Sequence, residues 1–253
     1  MKSFRIGAVS FLNTLPYVHA LRYSADAASF SLLLDHPAAI AQLLTSGQLD
    51  AGLVPVTVLA GSSKLHQLAP YGIACDGEVL SVLVCSQVPL EDIRTLLLDY
   101  RSRTSAQLVQ LLARHYWKLN WTFRQTQEGF EPQISGNTAA LLIGDQALRM
   151  RCRFPYIYDL GLAWKNFTGL PFVFAAWIGD QTLTPSLGNL LERAFSSVAD
   201  WARQAAADEQ ARFDGINITD YLLHCIQYRL NDRHQAGLEH FLALLTEEEI
   251  ILH

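Results

Sequence analysis

A chain of 253 residues that is 50% hydrophobic and only 17% charged has enough apolar material for one large core or two smaller ones, which excludes a disordered or highly solvated chain. The formal charge of −5, with Lys and Arg scattered as singles, argues against nucleic-acid or anionic-membrane partners. An anionic ligand would have to be met locally, for example by backbone amides at helix N-termini.

The four cysteines, Cys75, Cys85, Cys152 and Cys225, form no CxxC pair and have no histidine at ligand spacing. Neither a metal site nor a disulfide framework is expected, and the thiols read as reduced small core residues. The start of the chain, MKSFRIGAVSFLN, has no long apolar run, and LPFVFAAWI at 170–178 is far short of a membrane span. A cytoplasmic protein is expected.

FRIGAVS reads as a first strand, followed by Ser10, Asn13 and Thr14 and then by Pro16 at the start of a helix, where its missing N–H is not needed. HPAAIAQLLTSGQ reads as a second helix with Ile40, Leu43 and Leu44 on one face and Gly47 as its stop. LDAGLVPV supplies a short strand. VLSVLVCS at 79–86 is apolar throughout and predicts a strand buried on both faces. RTLLLDY at 94–100 is the next strand, and after Ser102, Arg103, Thr104 and Ser105 the residues Leu108, Leu111, Leu112 and Tyr116 recur at helical spacing. TAALLIGDQALRM repeats strand, turn and helix, with Gly144 and Asp145 at the turn. From Thr184 the chain turns helical, with Leu187, Leu190, Leu191, Ala194 and Val198 as an apolar stripe, and DYLLHCIQYRLNDRHQAGLEHFLALL adds one or two further helices.

Recurring strand, loop and helix units predict an α/β protein. Two lobes are expected, one of residues 1–86 plus 178–253 and one of residues 87–177, with crossover strands near 84–92 and 170–180. In open α/β sheets the ligand crevice lies beyond the carboxyl ends of the strands. The three polar turns, Ser10/Asn13/Thr14, Ser102/Thr104/Ser105 and Gly144/Asp145, would then face one cleft whose neutral donors suit a carboxylate. Each turn is equally well explained by helix capping alone. Arg103 has two readings as well: it forks onto a ligand carboxylate, or it pairs with Asp99. His19, His36 and His66 have no Ser or Cys partner at a recognised spacing, and GxSxG, Walker and GxGxxG motifs are absent from the sequence.

Taken together and in order, these segments resemble the chorismate dehydratase family of menaquinone biosynthesis by the futalosine pathway. VSFLNTLP resembles that family's Val-Ser-Tyr-Leu-Asn-x-x-Pro opening, GQLDAGLVPV its Gly-x-x-Asp-x-x-Leu-x-Pro segment, and the stretch from GIACDGEVL to RSRTS its central region. LLIGDQAL, DLGLAWKNFTGLPFVFAAW and YRLNDRHQAGLEHF follow in the same order. The resemblance implies a two-lobed, periplasmic-binding-protein-like (type II) α/β fold with a ligand cleft between the lobes. It also implies dehydration of chorismate to 3-(1-carboxyvinyloxy)benzoate, a small dicarboxylate substrate, and no cofactor. By matched position it implies Asn13 and Ser81 as catalytic residues, and Ser10, Thr104, Ser105, Gly144 and Asp145 as substrate contacts, with Arg103 beside them. The base is expected to be a substrate carboxylate, with Asp145 as the protein alternative. Leu15 stands where the family often has Lys or Arg, Phe11 and Tyr17 replace Tyr and Leu, and Cys75 replaces a common Ser. A non-catalytic carboxylate-binding protein of the same fold is the alternative function, and dihydroxynaphthoate synthase, which opens on a different motif, is a third reading.

Overall fold

The structure, a computed structural model, describes residues 3–247. In chain order its strands are β1 (Phe4–Val9), β2 (Phe30–Asp35), β3 (Ala51–Pro55), β4 (Leu65–Cys75), β5 (Val82–Ser86) and β6 (Thr95–Leu98). They continue as β7 (Thr122–Gln125), β8 (Thr138–Ile143), β9 (Tyr156–Asp159), β10 (Phe172–Asp180) and β11 (Gln227–Arg229). A six-stranded sheet runs β11-β4-β10-β3-β1-β2, and a five-stranded sheet runs β7-β6-β8-β5-β9. Both are mixed. β1 is parallel to β2 and β3 while β10 is antiparallel to β3 and β4. β6 is parallel to β7 and β8 while β5 is antiparallel to β8 and β9.

The chain passes to the second sheet between Cys75 and Val82 and returns between Asp159 and Phe172. Both exchanges fall earlier than the crossovers expected near 84–92 and 170–180. β5 lies between β8 and β9, and β10 lies between β4 and β3. Each is apolar because it is a central strand, and an apolar run reports burial without saying in which sheet. The strand expected over 79–86 is also shorter. All five residues of β5 are buried, but Leu80 has a φ of 59°, in the left-handed region that a strand does not enter.

The helices are α1 (Leu15–Tyr23), α2 (Pro37–Thr45), α3 (Arg103–Leu111), α4 (Gly144–Met150), α5 (Leu160–Thr168), α6 (Asn189–Phe195), α7 (Val198–Glu209), α8 (Ile218–Asp220) and α9 (Asp232–Glu247). One 3₁₀ turn, Leu12–Thr14, separates β1 from α1, and Pro37 opens α2 as the sequence predicts. The apolar stripe from Thr184 is divided among a π-helical turn (Thr184–Gly188), α6 and α7, and a three-residue strand, β11, lies between the last two helical segments. Eleven-residue β4 escapes the sequence pattern because it contains Pro70 and Gly72. Its register against β10 slips between the Gly72–Ala176 and Gln67–Ile178 pairs, and Pro70 sits in that bulge.

α2 packs on β1 and β3, α1 on α6 and α7, and α9 on both β10 and α3. On the first sheet the ring of Tyr17 meets Trp177, Phe195 and Tyr228 edge-on, at centroid separations of 5.5, 4.5 and 5.3 Å. Its hydroxyl shares its one proton between the carbonyls of Gly72 and Tyr228, at 2.8 and 2.9 Å. Burial pushes that phenol well above its ordinary pKa, so it remains a donor at all working pH. Tyr17→Phe keeps the ring and strips two buried carbonyls of their donor. It should lower stability by about 1–3 kcal/mol, read as a lower urea midpoint at unchanged slope.

Candidate functional site

Four strands end at one cleft. The loop after β1 brings Phe11, Asn13 and Thr14 to it, the end of β3 brings Pro55, the loop after β6 brings Ser102 and Ser105, and the end of β8 brings Gly144. The segment that enters β5 adds Val79, Ser81 and Val82, while Leu53, Ile73 and Phe174 close the apolar wall. The empty space of the cleft, with the open solvent at its mouth included, is about 600 Å³. Asn13, Thr14, Ser81 and Ser105 are all buried. Among the described residues, none that lines it carries an ionisable side chain.

Each polar group is held by a local device. Ser102 caps α3: its Oγ accepts the Ser105 amide at 3.1 Å and donates to Ser105 Oγ at 2.8 Å. The first amides of α3, Arg103 and Thr104, have no intrahelical acceptor. Gly144 has a φ of +58°, and a Cβ there would lie 3.1 Å from the Phe11 ring. Its N–H donates to the Ser81 carbonyl at 2.8 Å, so the start of α4, the β1 loop and Ser81 fix one another.

Ser81 follows a tight turn. Its N–H donates to the Val79 carbonyl at 2.7 Å across Leu80, a γ-type closure that carries strain. The Asp159 carboxylate holds this turn by accepting the Val79 and Leu80 amides, at 3.0 and 2.7 Å from Oδ2. The same side chain caps α5 by accepting the Leu162 amide at 3.1 Å. Burial raises the Asp159 pKa, and the three amides oppose that rise. A Cβ at Gly161 would come within 2.5 Å of the Gly77 carbonyl oxygen, so the close approach of α5 to this turn requires glycine.

Of the residues predicted from sequence, Asn13, Ser81, Ser105 and Gly144 meet in the cleft. Ser10 is exposed before the 3₁₀ turn and lies outside the lining. Thr104 is buried behind the cleft with its Oγ1 3.5 Å from Thr57 Oγ1. Asp145 also lies outside the lining: its Oδ1 accepts the Leu12 amide at 2.9 Å, which pins the β1 loop to α4.

Arg103 is exposed and lines an adjoining outer groove with His36, Tyr100 and Arg101. The alternative pairing of Arg103 with Asp99 is replaced by Arg101, whose Nε and Nη2 donate to buried Asp99 at 2.8 and 2.5 Å. Asp99 also accepts the Arg101 amide at 3.1 Å. That local turn favours the residue two positions on over the one four positions on. Arg101 further reaches Gln146 on α4.

Sequence reasoning placed Ser102 in a polar turn without giving it a contact of its own, and passed over Asp159 and Tyr221. A Ser at 102 followed three residues later by Ser105 carried a capping signal, as did Asp159 before Leu160-Gly161. Tyr221, whose hydroxyl meets Ser81 at 3.0 Å from 140 positions away, carried none.

Burial raises the Asp145 pKa against the opposing effects of the Leu12 amide, Arg149 and Arg212. A raised carboxyl favours folding most below its unfolded pKa, and that contribution is lost as the pH rises through the folded value. Asp145→Asn keeps the Oδ1 acceptor for Leu12 and has no such pH dependence. Its denaturation midpoint at neutral pH should equal or slightly exceed that of the unaltered chain, with the difference closing on acidification. Asp145→Ala removes the acceptor and should cost about 1–2 kcal/mol at neutral pH.

A family model described as menaquinone biosynthesis matches residues 4–247. The chorismate dehydratase of Thermus thermophilus is 27% identical over 263 residues, covering 95% of this chain and 94% of that protein. A protein of Archaeoglobus fulgidus superposes with a TM-score of 0.74 at 10% identity, over 98% of each chain. The periplasmic aliphatic sulphonate binding protein SsuA of Escherichia coli does so with a TM-score of 0.66 at 13% identity, over 100% of this chain and 94% of that one. The structural likenesses establish a periplasmic-binding-protein fold and nothing finer. With its family pattern matched from the first strand to the last helix, the chain belongs to the menaquinone biosynthesis family.

Proposed function

We propose that this chain is a chorismate dehydratase, a carbon–oxygen lyase that eliminates water from chorismate to give 3-(1-carboxyvinyloxy)benzoate in menaquinone biosynthesis. The observation that carries the reading is the cleft itself, in which Asn13, Thr14, Ser81, Ser102 and Ser105 stand among apolar walls without an ionisable lining residue. Such a lining suits a ring bearing carboxylates that are hydrogen-bonded and not neutralised. The dehydratase of Thermus thermophilus, similar over nearly the whole of both chains, has the activity that this lining fits.

Loss of the C3 proton and the C4 hydroxyl of chorismate creates an aromatic ring, so much of the driving force lies in the substrate. The protein has to hold the dianion in a reactive pose and assist the departing hydroxyl. Ser102, Ser105 and the first amides of α3 bind one carboxylate, aided by the helix dipole. Asn13 and Ser81 orient the ring and its C4 hydroxyl. Asp145 is engaged with the Leu12 amide outside the lining, which favours a substrate carboxylate as the base that takes the C3 proton. The hydroxyl leaves as water, and no cofactor takes part.

The two sheets form two lobes under this reading, one around the six-stranded sheet and one around residues 82–159, with chorismate between them. Arg103 at the outer groove draws the dianion toward the cleft. The protein works in the cytoplasm, where a biosynthetic intermediate such as chorismate is made.

Purified protein incubated with chorismate should yield a product lighter by one water, followed by mass spectrometry. Chorismate bound but unchanged would point instead to a carboxylate-binding protein. Asn13→Ala should lower kcat by about 10²–10³-fold while circular dichroism and the denaturation midpoint stay close to those of the unaltered chain. An unchanged kcat would remove Asn13 from the reaction. Asp145→Asn should retain near-normal turnover, whereas a loss of several orders of magnitude would make Asp145 the base.

A further inference from the structure

We infer that Tyr221 is a positioning residue for the proposed dehydration, its hydroxyl holding Ser81 so that the serine O–H is free for a ligand in the cleft. The inference rests on the reading above. Tyr221 lies in the helical turn after α8 and is buried. Its hydroxyl donates to Ser81 Oγ at 3.0 Å, and the Asn13 side chain bears on the same hydroxyl. Three distant segments of the chain, at 13, 81 and 221, thus place their polar groups together at one end of the cleft. Asn13 and Ser81 line it, and Tyr221 stands behind them.

A serine hydroxyl has one proton to give and two lone pairs. Tyr221 occupies one lone pair, so Ser81 is constrained to act as a donor in some other direction. That proton goes to the Val79 carbonyl at 3.3 Å, long for an O–H···O bond and readily exchanged for a ligand oxygen. Donation from Tyr221 polarises the serine and strengthens the bond it gives. Burial raises the tyrosine pKa, which keeps the phenol protonated and in the donor role. The neighbouring tyrosines show what packing alone requires. Tyr17 gives its hydroxyl to backbone carbonyls, and the buried Tyr228 hydroxyl has no partner among the described residues. Only Tyr221 of the three directs its proton to a side chain that lines the cleft.

The test is a double-variant cycle of Tyr221→Phe and Ser81→Ala, with kcat and KM for chorismate and the urea midpoint measured for each protein. Tyr221→Phe should lower kcat at least about tenfold and shift KM by less than about threefold. In the Ser81→Ala background it should lower kcat no further. A kcat unchanged by Tyr221→Phe, or losses that multiply in the double variant, would overturn the inference while leaving the dehydratase reading in place. Chorismate left untouched by the unaltered protein would overturn both. If Tyr221→Phe does not fold, 3-fluorotyrosine placed at 221 preserves the packing and strengthens the donor. Its kcat should then differ by about twofold or more, and an unchanged value would overturn the inference.

Discussion

The Asp159 carboxylate ties together the two places where the chain passes between sheets. It ends β9, the last strand of the five-stranded sheet, and caps α5, which leads back to β10. It also accepts the Val79 and Leu80 amides on the segment that leads from β4 into β5. Departure and return are therefore held by one side chain, and the strained turn at Leu80 persists because its amides are saturated on that carboxylate. The cost of burying the charge is visible in the raised pKa of Asp159, and the amides it satisfies are what offset that cost. The placement of Ser81 and the width of the cleft beside it both depend on this arrangement.

What was legible in the sequence was whatever a local period or a punctuating residue could encode. Pro37 with Ile40 and Leu44 specifies α2, and the apolar run followed by Gly144-Asp145 specifies β8 and α4. What was hidden depends on contacts between remote parts of the chain. Composition alone gave no sign that β5 and β10 belong to different sheets, because both are central strands with the same apolar character. Thr104 and Ser105 are adjacent hydroxyl residues of the same turn, yet the helix sends Ser105 into the cleft and turns Thr104 toward Thr57. A helix advances by about 100° per residue, so neighbours in a polar motif cannot all face one ligand. The ordered family resemblance named residues from several loops, four of which line the cleft, while the facing of each side chain had to come from three dimensions.

Asp145 sits at the start of α4 in the matched motif and outside the lining of the cleft. A carboxylate at a helix start beside a cleft invites a catalytic reading, yet its oxygen is committed to the Leu12 amide across the β1 loop. Arg101 acts in parallel on the other side of α4, binding Asp99 and reaching Gln146. The charged groups close to the cleft thus brace its loops, and the groups that line it are neutral. This division explains why α4 begins with a glycine: the Phe11 ring occupies the space a Cβ would need, and the loop that carries Asn13 is held against the helix by that contact as well as by Asp145.

A neutral cleft also has consequences for the chemistry proposed. A guanidinium or ammonium set against a substrate carboxylate would bind it more tightly, but an adjacent opposite charge lowers the carboxylate pKa and with it the capacity to take a proton. Hydroxyl and amide donors hold the same group with a smaller loss of basicity. The engagement of Arg101 with Asp99 keeps that positive charge out of the lining. The apolar wall of Leu53, Ile73 and Phe174 lowers the local dielectric and so raises the free-energy cost of leaving that carboxylate ionised. If the substrate's own carboxylate is the base, the absence of charged side chains from the cleft is what keeps it basic enough to act.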